Sequence, residues 1–138
     1  MYDLNRFLKA QDRDYADALA EIKAGHKRSH WIWYIFPQVK GLGFSSTSEF
    51  YGIDGLDEAR AYMDNVVLRE RIIEISEVLL TLDSSDAGDV MGYPDDLKLR
   101  SSMTLFAEAA PKEEVFQKVL DKFFAGKKDE RTLEIIGR

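Results

Sequence analysis

The chain has no cysteine, and this excludes disulfides, thiol nucleophiles and cysteine-ligated zinc or iron–sulfur centres together. It has three prolines, at positions 37, 94 and 111, so few elements are forcibly broken. No apolar run approaches the ~20 residues that cross a bilayer, and a membrane protein is not expected. The first nine residues carry charges where an export signal needs an apolar centre, so the expected location is the cytoplasm. Cations are outnumbered, 19 Lys and Arg against 25 Asp and Glu: the net charge of −6 leaves no broad basic footprint, and duplex nucleic acid is not an expected partner.

What remains is 138 residues with 45% hydrophobic and 32% charged side chains, the composition of one globular domain over residues 1–138. Helical spacing dominates it. Residues 4–24 read as a helix, with Tyr15, Ala18, Leu19 and Ile22 on one face and Gly25 as its stop. The hexapeptide from Trp31 to Phe36 has strand composition, yet Ser29 before it and Pro37 after it fit a short capped helix. Gln38 to Thr47 reads as a loop, followed by a short turn capped by Ser46 or Ser48.

Another helix is expected from Gly55. Asn65 then opens what should be the longest helix, through Leu82, its apolar positions Leu68, Ile72, Ile75, Leu79 and Leu82 forming one stripe. Residues 83–93, rich in Ser, Gly and Asp, read as a loop. Pro94 starts a helix that carries Leu99, Met103 and Phe106 and ends before Pro111. Two amphipathic helices follow, over 113–124 and 128–136. The expected fold is all-α: six to eight helices in a compact domain around the central helix at about 65–82.

One stretch stands apart. Between Ile22 and Ser48 there are four cations (Lys23, Lys27, Arg28, Lys40), both histidines and no carboxylate. Residues 31–51 also hold 7 of the 16 aromatics: Trp31, Trp33, Tyr34, Phe36, Phe44, Phe50 and Tyr51. Most of these rings are expected to be core, because aromatic side chains bury large areas. Beside cations, however, aromatic faces also suit an anion that carries a flat ring, through stacking and charge-assisted hydrogen bonds. Nucleotides and ADP-ribose-like metabolites have that chemistry.

Other motifs fail. His26 and His30 are spaced i, i+4, but Gly25 breaks the helix there and no carboxylate in the stretch completes a metal set, so no metal is expected. The 83–89 loop departs from an EF-hand at two ligand positions, and Gly41-Leu-Gly43 lacks the third glycine of a dinucleotide fingerprint. No cofactor is expected. Ser101, Ser102 and Thr104 are poor helix formers placed mid-helix; they either do polar work inside the fold or bond back to carbonyls one turn earlier.

The string Gly25-x-Lys27-x-Ser29-His30-Trp31-x-Trp33-x-x-Phe36-Pro37-Gln38 resembles the hallmark of the bacterial family called domain of unknown function 1810. So do Gly41-Leu-Gly43, Tyr51-Gly52-Ile53, Leu68-x-x-Arg71, the run from Lys98 to Phe106, and Asp129-x-x-Thr132-Leu133. The resemblance spans essentially the whole chain, with Ile32 standing where methionine is more usual. It implies a mainly helical fold and no settled activity. A shorter likeness, in Ser48-Glu49-Phe50-Tyr51 followed by Glu58-Ala59, is to the NADAR family of ADP-ribose-linked N-glycosidases.

The functional expectation is a pocket formed by residues 27–40 against the Lys98–Thr104 helix. Lys27, Arg28, Lys40 and Lys98 would hold an anion. Trp31, Trp33 and Tyr51 would contact its ring, and Gln38, Ser101 and Ser102 would orient it. If chemistry occurs there, His30 or Glu49 is the candidate acid or base. The alternative from another class is a protein–protein interaction module that uses the aromatic 31–51 region as its contact surface.

Overall fold

The computed structural model describes residues 2–138. The described residues form nine helices: α1 (Asn5–Lys23), α2 (Ile32–Ile35), α3 (Ser46–Tyr51), α4 (Gly55–Asp64), α5 (Val66–Thr81), α6 (Ala87–Met91), α7 (Asp95–Ala109), α8 (Val115–Phe124) and α9 (Glu130–Ile135). The fold is all-α. Extended pairing among the described residues is confined to one parallel bridge between Val39 and Ile53.

Local chemistry explains the boundaries. α1 ends at Ala24 and Gly25 follows at φ +87°, a conformation glycine adopts without a Cβ penalty. Asn65 caps α5 by accepting from the Leu68 N–H, and Ser45, one residue ahead of the expected pair, caps α3 through the Ser48 N–H. Residues 31–36 resolve as a short helix, but Ser29 does not cap it; its hydroxyl turns instead to Glu21. The 83–93 stretch holds α6 where a loop was expected. The signal was Asp86, whose carboxylate accepts from the N–H groups of Gly88 and Asp89.

Nine helices form among the described residues where six to eight were expected, α6 being the addition, and two expectations about the core need correction. The longest helix is α1, with 19 residues, and not the 65–82 helix. The hub is also shared: α5 packs on α1, α4 and α8, while α7 packs on α2, α4, α6, α8 and α9. Burial follows the packing. α7 buries nine residues, from Leu99 through Ala109 and on all its faces, so its apolar pattern shows no single stripe. Phe106, in its C-terminal half, is fully buried, with the Tyr62 and Phe116 rings 5.1 and 5.7 Å away.

No helix among the described residues is long and apolar enough to cross a membrane.

Candidate functional site

The aromatic and basic stretch divides into two layers. Its first part, residues 27–31, is held by one carboxylate. Glu21 projects from the last turns of α1. Its Oε1 accepts from the backbone N–H groups of Arg28 (2.6 Å) and Ser29 (2.9 Å) and from the Trp31 indole (2.9 Å); its Oε2 accepts from the Ser29 hydroxyl (2.7 Å). Burial alone would raise its pKa. The four donors outweigh burial and hold the carboxyl down to about 2.

Trp31 is 1% exposed, and Lys27 lies over its ring with Nζ 4.8 Å from the centroid. The Lys27 side chain, 5% exposed, pairs with Asp95 Oδ2 at 2.7 Å and donates to the Ser29 carbonyl. Trp31 and Lys27 therefore form an internal strut between α1, α2 and α7.

The second layer begins one turn on. Trp33 is half-buried, and Lys98 from α7 stands over its ring at 4.1 Å. Lys98 is 24% exposed and reaches the other oxygen of the same carboxylate, Asp95 Oδ1, at 3.3 Å. Asp95 thus joins an inner Lys27–Trp31 pair to an outer Lys98–Trp33 pair.

Beside the outer pair lies a cleft of about 270 Å³, lined by Trp33, Gln38, Leu42, Gly43, Pro94, Leu97, Lys98, Ser101, Asp129 and Arg131. An adjoining pocket of about 20 Å³, room for one water, shares Trp33, Gln38, Leu42 and Gly43 and adds Tyr51. The loop wall is fixed by the parallel bridge: the Lys40 N–H donates to the Ile53 carbonyl (2.8 Å) and the Ile53 N–H to Gln38 (2.9 Å). Gly52 permits this approach, because a Cβ there would sit 2.9 Å from Lys40 Cα.

The opposite wall turns on Asp129, the N-cap of α9. Its Oδ2 accepts from the Ser101 hydroxyl (2.9 Å), the Thr132 N–H (3.2 Å) and the Thr132 hydroxyl (2.5 Å). Its own N–H donates to Thr104 Oγ1 (2.9 Å), whose proton goes to the Arg100 carbonyl one turn back (2.8 Å). Thr104 thus both bonds back along α7 and does polar work between helices. Ser101 is placed the same way, with the Leu97 carbonyl 3.2 Å from its hydroxyl. Ser102 is fully buried, and its hydroxyl has no partner.

The structure therefore brings together Trp33, Gln38, Lys98 and Ser101, with Tyr51 just behind them. It places Lys27 and Trp31 in the layer below. Arg28, His30, Lys40 and Glu49 are exposed and outside the lining of the cleft. His26 Nδ1 lies 3.1 Å from the Asp89 carbonyl oxygen. No group of three or more His, Asp or Glu among the described residues could hold a metal ion. Glu58, part of the shorter likeness noted above, is buried and paired with Arg6 at 2.8 Å.

Leu42, Gly43, Pro94, Leu97, Asp129 and Arg131 were not anticipated as lining. Asp129 had a signal, the Asp-x-x-Thr cap pattern. The others are joined to the site only by tertiary folding.

The model for the family described as protein of unknown function (DUF1810) matches residues 1–136. The chain belongs to this family. The matched range of the DUF1810 model contains both Lys–Trp pairs. The DUF1810 chain is also similar to a solved structure, that of the conserved hypothetical protein Rv1873 from Mycobacterium tuberculosis. The two are 40% identical with a TM-score of 0.96, over 99% of this chain and 98% of that one. No curated protein matches it.

Proposed function

We propose that the cleft beside Trp33 and Lys98 binds a small anionic metabolite that carries a flat ring, in the nucleotide class. The observation that carries this reading is the outer Lys–Trp pair itself, a cation over an indole face with the cation reachable from solvent at the wall of a cleft. Arg131 supplies a second cation from α9, 62% exposed at its side chain. Leu42, Pro94 and Leu97 add apolar surface against which a ring can lie. Next to lining residues Gly43 and Pro94 in sequence, Phe44 and Tyr93 are 88% and 82% exposed and offer two further rings. Larger grooves of about 640, 450 and 400 Å³ have no tryptophan, tyrosine or phenylalanine in their linings.

The setting proposed is cytoplasmic, in keeping with a chain free of disulfides. The ligand-binding role extends to Gln38, Ser101 and Tyr51 as orienting groups. Lys27 and Trp31 support the cleft from below, while His30 and Glu49, exposed and outside the lining, are left without a role in it.

The experiment is a thermal-shift series with AMP, GMP, ADP-ribose and NAD on the wild-type protein and on Lys98→Ala. A ligand at a hundredfold over its Kd stabilises by ~2.7 kcal/mol, a rise of several degrees. A shift that the substitution abolishes supports the cleft. A shift unaffected by Lys98→Ala places binding elsewhere and overturns it.

A second reading has an observation of its own. Phe44, Tyr93 and Leu97 are exposed apolar groups within one residue of the lining, or in it, and could meet a protein partner. Trp31, Tyr34 and Phe36 are buried, so such a surface would use the rim and not the aromatic block as a whole. Concentration-dependent sedimentation that Phe44→Ser abolishes would favour it.

A further inference from the structure

Asp129 sits oddly in a cleft read as an anion site. A carboxylate beside Lys98 and Arg131 weakens an anion's attraction, and its presence needs a chemical reason. Its hydrogen bonds supply one. All three donors that reach its side chain, Ser101 Oγ, Thr132 N and Thr132 Oγ1, converge on Oδ2. Oδ1 takes none of them. Three bonds fix the plane of the carboxyl, and a fourth, from the Asp129 N–H to Thr104, fixes its backbone. The result is an anchored carboxylate on a residue that lines the cleft, with Oδ1 left without a bond inside the protein.

Resting on the nucleotide-class reading above, we propose that Asp129 Oδ1 accepts hydrogen bonds from the sugar hydroxyls of a ribonucleoside monophosphate. Asp129 thereby makes the site select ribose over deoxyribose. Charge decides the kind of donor: a cationic amine would meet Lys98 and Arg131, both lining the same cleft, whereas a neutral hydroxyl pair meets only the acceptor. Size decides the class. At about 270 Å³ the cleft is slightly smaller than the usual small-molecule site, which favours a mononucleotide over a dinucleotide or ADP-ribose. Lys98 and Arg131 take the phosphate, and the apolar wall of Trp33, Leu42 and Leu97 takes the base.

The experiment is calorimetric titration of AMP, 2′-deoxy-AMP and 3′-deoxy-AMP, and the same set for GMP, into the wild-type protein and Asp129→Asn. Asparagine still caps α9, because its carbonyl oxygen accepts from Thr132 as the carboxylate does, but it presents an amide donor in place of the free acceptor. The expected result is that at least one deoxy analogue binds the wild type tenfold or more weakly, the loss for one bond to a charged acceptor. Asp129→Asn binds the members of each set alike.

Equal affinity of ribo and deoxy forms in the wild type overturns the role of Asp129 and leaves the nucleotide cleft standing. Preference retained in Asp129→Asn assigns it to another residue and overturns the role equally. Absence of heat with all six ligands overturns both readings. Should Asp129→Asn not fold, Asp129→Ser takes its place, since a serine hydroxyl also caps α9 and lacks the second oxygen, and the same loss of preference is expected.

Discussion

Lys27 over Trp31 and Lys98 over Trp33 are built from the same parts and share one carboxylate, yet they sit on opposite sides of the protein surface. The inner pair is shut in: its ring is 1% exposed, its ammonium faces Asp95 and the Ser29 carbonyl, and its indole N–H is taken by Glu21. The outer pair faces a cleft, and its ammonium holds a looser grip on Asp95. Burial changes what a cation–π pair is for. Inside, the pair is a strut whose charge must be matched or the fold suffers; outside, the same geometry leaves a charge that solvent can reach.

Substitutions should separate the two layers. The largest effect is expected for Asp95→Ala, which leaves the buried Lys27 ammonium without its counter-charge: about 3 kcal/mol of stability lost, read by urea unfolding. Lys27→Ala comes next, at about 2 kcal/mol, since Asp95 keeps Lys98 as a partner while the packing over Trp31 is lost.

Glu21→Gln should cost about 1 to 2 kcal/mol at neutral pH, after allowance for the solvent that reaches the site, and the cost depends on pH. The folded carboxyl is held at about 2, below its ordinary 4.5. Its stabilisation is therefore complete above the ordinary value and is lost as pH falls from there toward 2. Melting curves of wild type and Glu21→Gln should converge over that interval; a constant gap would contradict the four-donor account. Smallest is Lys98→Ala, within about 0.5 kcal/mol of wild type by the same unfolding measurement, because its charge is partly solvated. A large loss there would erase the distinction between the layers.

Much of this architecture was legible in order along the chain. Gly25 and Asn65 mark helix ends by backbone chemistry that is local, and the helical spacing of residues 4–24 needed no tertiary information. The juxtaposition of the 27–40 stretch with α7 was also anticipated. What escaped notice were the carboxylates that meet the stretch. Glu21 lies seven residues before Arg28 and takes its backbone N–H, and Asp95 lies 68 residues after Lys27 and pairs with its ammonium. Composition shows a positive stretch without carboxylates, while the fold imports two from outside it. α7 escaped as a hub for a related reason: a helix buried on all sides has no polar face to give it a period. Leu97 and Arg131 read as ordinary surface residues until α7 and α9 are set beside the 38–43 loop.

The Arg100 guanidinium donates to the carbonyls of Lys127 (2.8 Å) and Lys128 (3.0 Å), and so ties the start of α9 to α7. At six residues, with Thr132 alone buried, α9 is too short to persist without that tether and the Asp129 bonds. In hydrogen exchange it is expected to open before the α5–α7–α8 core does. One wall of the cleft thus rests on a six-residue helix and a few hydrogen bonds while the other rests on the core. Under the proposed function, the residence time of a bound nucleotide is therefore expected to follow the opening rate of α9.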